Sequence, residues 1–123
     1  MANERTTSVS ISVSKGGIAI NSGTLSKTGD MTGTYSATES QLIGTSNEAL
    51  SFNTTDITGD VNVAVKNMDA ANYVEIFKDS GNTHLLSKLK AGESCLLMNI
   101  PHNALYGRAN TAAVSIQFWI AQA

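Results

Sequence analysis

Several things are scarce in this 123-residue chain. Cys95 is the only cysteine, so no intramolecular disulfide can form, and folding rests on a hydrophobic core. Cys95 lies in the apolar run SCLLM, where it reads as a small buried apolar group. A reactive thiol would need exposure and nearby positive charge. Pro101 is the only proline, and it closes a strand because it has no N–H to give a ladder. Charged residues make up 15% of the chain and the formal net charge is −2. Acids and bases are interspersed, so no basic stripe is available for a phosphate backbone, and direct nucleic-acid binding is not expected. No apolar run approaches the length of a membrane span, and MANERTTSVS lacks the basic-then-apolar pattern of a secretory signal; the expectation is a chain made in the cytosol with no membrane partner.

Metal and catalytic motifs are equally sparse. His84 and His102 are far apart in sequence and Cys95 has no partner, which leaves no close-spaced ligand pair for a metal. There is no G-x-S-x-G elbow, no G-x-G-x-x-G and no P-loop. The chain is expected to be non-enzymatic and to carry no cofactor.

What is abundant is Ser, Thr, Asn and Gly, beside a hydrophobic fraction of 41%. Those residues are mediocre helix formers, and Thr favours strands. Residues 1–8 are polar and read as a flexible arm, with residues 9–123 as one domain. Within SVSISVS, Val9, Ile11 and Val13 alternate with serines, the pattern of a strand with one buried and one wet face. Lys15-Gly16-Gly17 then marks a tight hairpin in preference to a bulge. Residues 21–38 are weakly patterned and fit either two short edge strands or a surface loop. Further strands are expected at residues 41–43, 49–52, 61–65, 73–77, 85–89, 95–100 and 114–120. Turn residues separate them, and no segment shows a 3.6-residue period. Residues 61–100 carry most of the strand signal. LLMNI is apolar at consecutive positions, so its strand is expected to be covered on both faces, by a second layer or a neighbouring subunit. The fold class is all-β: a single-domain antiparallel sandwich of about 8–10 short strands, jelly-roll or immunoglobulin-like.

Trp119 is the most informative single residue. By alternation it lies opposite Phe118 and the core face of the last strand. Either another layer packs over it, or it anchors contact with another protein, a role in which Trp is enriched. Glu4 and Arg5, in the polar arm, are the other candidate contact residues.

Three segments carry a family resemblance: NMDAANY at residues 67–73, LKAGE at 89–93 and LYGRANTAAV at 105–114. In these the chain resembles small β-rich virion structural proteins of tailed bacteriophages, with weaker support from IGTSNEAL at residues 43–50. The resemblance covers roughly the second half of the chain and carries no functional side chain. It implies a place in the virion after synthesis in the host cytoplasm, as a capsid decoration or cement protein whose partner is the major capsid protein or another virion protein. A homo-oligomer of closed cyclic symmetry, such as a trimer, is expected with it. A neck, tail or fibre-associated protein is the nearest alternative. A carbohydrate-binding sandwich is a more distant one, and it would require Tyr35, Tyr73, Tyr106 and Trp119 to cluster around a groove.

Overall fold

The computed structural model describes residues 5–31, 36–51, 57, 59–101, 103 and 105–122. Among them are twelve strands and no helix. The chain divides into two compact units, Met1–Thr32 and Gly33–Ala123. The sequence reading divides the chain differently, into an arm over residues 1–8 and one domain over 9–123. The polar start of the chain is paired from Arg5 onward, because Thr and Ser fit a solvent-exposed ladder as well as they fit a loop.

The first unit is a long two-stranded ribbon. Strand β1 (Arg5–Val9) pairs antiparallel with β4 (Leu25–Gly29), and β2 (Ser12–Lys15) pairs with β3 (Ile18–Asn21). Gly16 and Gly17, at φ +56° and +89°, form the two-residue turn at the tip. A turn with both central residues at positive φ follows the strand twist, which is why glycine occupies both places. Between the two ladders the register shifts by one residue. There Ser22 stands in for the regular pattern: its N–H donates to Ile11 O at 2.9 Å and its hydroxyl accepts from Ile11 N at 2.9 Å. Asn21 Oδ1 accepts from Gly23 N at 2.8 Å, and Gly23 sits at φ +65°. The ribbon therefore contains both the hairpin and a bulge.

The second unit is a β-sandwich of two four-stranded antiparallel sheets. The first has the order β10-β7-β12-β5, and the second β6-β11-β8-β9. Here β5 is Ser36–Ile43, β6 Glu48–Ala49, β7 Asp60–Asn67, β8 Val74–Phe77, β9 Leu85–Leu89, β10 Ser94–Pro101, β11 Tyr106–Ala109 and β12 Val114–Gln122. The inner faces meet in one core. Val61, Val63 and Val65 of β7 and Val114, Ile116, Phe118 and Ile120 of β12 come from one layer, and Val74, Ile76, Leu89 and Ala109 come from the other. Each such side chain contributes about 2 kcal/mol through removal from water.

Only β8 and β9 form a hairpin between sequence neighbours in this unit; the other described neighbours cross from one sheet to the other. The pairs expected around residues 44–48 and 90–93 are thus arches between layers. Strand β10 lies at a sheet edge, where Cys95, Leu97 and Ile100 pack against the core while Met98 is exposed. Of the two covers expected for its outer face, the described residues of this chain supply no second layer. The consecutive apolar residues split between an inner face and an open one, and a register shift between Leu97 and Ile100, with Asn99 at φ +56°, ends the regular alternation.

Candidate protein contact site

Three turns gather at one end of the sandwich, and they are the segments that carry the resemblance. Asn67, fully buried at the end of β7, joins them. Its Nδ2 donates to Asn72 O and to Leu89 O, both at 2.9 Å, and its Oδ1 accepts from Asp69 N at 2.8 Å. Its backbone N–H donates to Glu93 O at 2.9 Å and its carbonyl accepts from Gly92 N at 3.1 Å. Within the 90–93 turn, Glu93 N donates to Lys90 O at 3.0 Å, Lys90 N donates to Glu93 Oε1 at 2.8 Å, and Gly92 supplies φ +78°. Thr111 Oγ1 donates to Asn72 Oδ1 at 3.1 Å, tying in the third turn. These groups satisfy backbone and one another, so their chemistry is structural.

Among the described residues no group of three or more His, Cys, Asp or Glu could hold a metal ion. Thr83 Oγ1 lies 3.0 Å from His84 Nδ1, but it donates at 2.6 Å to Asp79 Oδ2. Asp79 also accepts from Thr83 N and from His84 N, the latter at 2.9 Å. The trio closes the exposed β8–β9 turn. The Thr83 hydroxyl, ahead of the backbone N–H groups, holds the Asp79 carboxyl down at about 2. Burial pushes the Cys95 thiol up, with a hydrogen bond from Ser87 acting weakly the other way, so little thiolate is present near neutrality.

Trp119 sits on β12, on the outer face of the first sheet, and is 41% exposed. Its cross-strand partners are Thr38 on β5 and Ala64 on β7, and Leu96 on β10 lies opposite Ala64. A large ring thus stands above a row of smaller side chains, and the described residues leave it accessible to another surface. The outer face of the second sheet is different in character. Arg108 Nη2 meets Glu75 Oε1 at 2.9 Å, Arg108 stacks over the Phe77 ring, and Lys88 lies 4.1 Å from the Tyr73 ring centroid. Its charged and aromatic groups already have partners.

The other candidates are distributed elsewhere. Arg5 is half-buried at the base of the ribbon, with its guanidinium folded over Gly29, where a side-chain carbon would come within 3.0 Å of Nη2. It belongs to a different unit from Trp119. Glu4, Tyr35, Phe52 and His102 lie outside the described residues. Tyr73 and Tyr106 belong to the second sheet's side and Trp119 to the first, so these three aromatics do not share a groove.

The ribbon exposes apolar residues that the sequence reading assigned to a buried face. Val9, Ile11 and Val13 are exposed, not buried, and so are Ile18, Ile20 and Leu25. Their signal was legible as alternation, but alternation specifies a face without specifying what covers it. Comparison of the chain with protein-family models, with curated proteins and with solved structures gives no match.

Proposed function

We propose that this chain is a non-enzymatic structural protein of a tailed-phage virion, acting as a decoration or cement protein on the outside of the head. The observation that carries the reading is the open outer face around Trp119: a large, 41% exposed aromatic flanked by Thr38 and Ala64 on a four-stranded sheet. Such a face suits attachment to another folded surface, where a central Trp commonly supplies much of the binding energy. The resemblance in the 67–73, 89–93 and 105–114 turns supports a partner among virion proteins, and the major capsid protein is the most economical choice. A protein that binds only the assembled shell stabilises that shell by mass action. About 800 Å² per partner, the usual size of a specific interface, is within reach of a domain this small.

Purified heads mixed with the protein and sedimented test the proposal. Saturable binding in many copies over the head surface is the expected result, with Trp119→Ala weakening it by at least about tenfold. Binding confined to a few copies at one vertex would assign the chain to the neck or tail instead.

A further inference from the structure

We infer that the ribbon of the first unit is a self-association surface, whose apolar face stacks on the same face of a second copy of this chain. The inference is independent of the virion role. In an antiparallel ladder, cross-strand partners share a face. Val9 is opposite Leu25, Val13 is opposite Ile20, and Lys15 is opposite Ile18. Ile11 lies between the two ladders, on the same side as Val9 and Val13 by alternation. The one-residue bulge after Ser22 keeps Leu25 in line with Ile20. The other face carries Ser8, Ser12, Ser14, Ser26 and Thr28.

Among the described residues of its own unit, nothing covers the apolar side. Its six large residues are each 44–62% exposed, and no residue of this segment belongs to the buried core cluster. An isolated two-stranded hairpin is marginal in water unless one face is packed. Together the six present about 600 Å², the upper end of the largest patch found on ordinary monomers. Two such faces brought together bury at most about 1,200 Å², which reaches the smallest of the stable specific interfaces.

A second copy fits this face because its middle is uncharged. The segment's cations, Arg5, Lys15 and Lys27, stand at the two ends of the ribbon. Stacking two copies about a two-fold axis through the middle brings like charges together only at the solvated rim, where salt screens them. A heterologous partner recognised through those cations would need an acidic rim, and its binding would weaken with salt. Self-stacking should strengthen as salt is raised. In this arrangement Ile11, at the centre of the face, meets Ile11 of the second copy.

Sedimentation equilibrium of the full chain, a 12.9 kDa monomer, gives the test. The expected result is a dimer mass that is held more tightly at higher salt. The double substitution Ile18→Thr and Ile20→Thr, which keeps strand propensity and sets no charge opposite Lys15, should weaken the dimer at least tenfold. Both positions are exposed, so the thermal unfolding midpoint of the dilute protein should stay unchanged. Ile11→Cys should give an intermolecular disulfide under mild oxidation, whereas Trp119→Ala should leave the dimer intact. A monomer at all soluble concentrations would overturn the inference. So would an oligomer unaffected by the ribbon substitutions, one dissolved by Trp119→Ala, or one weakened by salt.

Discussion

Asn67 satisfies both of its amide protons, its side-chain oxygen and both backbone polar groups inside the protein. A hydrophobic replacement would strand Leu89 O in the interior and leave Asn72 O and Asp69 N without their partner at the half-buried turn, and a buried group so stranded costs about 1–3 kcal/mol. Asn67→Ala is therefore expected to lower stability by about 2 kcal/mol in urea unfolding, with little change in the denaturant slope. Asp79 and Asp69 act through charge. Hydrogen bonds from Asn72 N and Ala71 N lower the Asp69 carboxyl, as the Thr83 hydroxyl lowers Asp79. Because the folded state binds these protons more weakly than the unfolded chain does, the stabilisation is complete above the ordinary carboxylate range. It is lost as pH falls toward about 2, the Asp79 value. Carboxyl titration by NMR should give that midpoint for Asp79, and Thr83→Val should move it upward toward the ordinary range. An unchanged midpoint would remove the hydroxyl from the account.

Along β12, neighbouring residues do opposite jobs. Phe118 is fully buried between the sheets and Trp119 faces outward. Phe118→Ala should cost about 3–5 kcal/mol through the cavity it leaves. Trp119→Ala should cost about 1 kcal/mol, the fate of a half-exposed side chain, while its effect falls on partner binding. Equal losses in chemical unfolding would mean that Trp119 packs as core. The two faces of β12, the alternation in β7 and the Gly16-Gly17 turn were all legible in the sequence, because each depends on a few consecutive residues. The β8–β9 hairpin was legible too. The arches at residues 44–47 and 90–93 were not, since the same Gly, Asn and Asp signals serve a turn within a sheet and a crossing between sheets. The half-open state of β10 was also hidden, because an apolar run does not disclose whether its strand ends up central or at an edge.

For the molecule as a whole, the described residues of the buried cluster all belong to Gly33–Ala123. Amide exchange should divide accordingly. Protection in β7 and β12 should approach the global unfolding free energy. The ladders of β1–β4 and β2–β3 should exchange quickly in dilute protein and slow down as concentration rises, the signature of a ribbon covered by another copy. Uniform protection along the chain, independent of concentration, would contradict this. The sequence by itself determined the class of fold, the positions of most strands and the two-faced character of each, because a period of two is written residue by residue. Only the tertiary structure decided which strands pair, which lie at edges, and that the alternation of Val9, Ile11 and Val13 faces outward. Pairing and cover are long-range properties: a strand's pattern states that one face avoids water, and it does not state whether the surface that keeps water away belongs to the same chain or to another molecule.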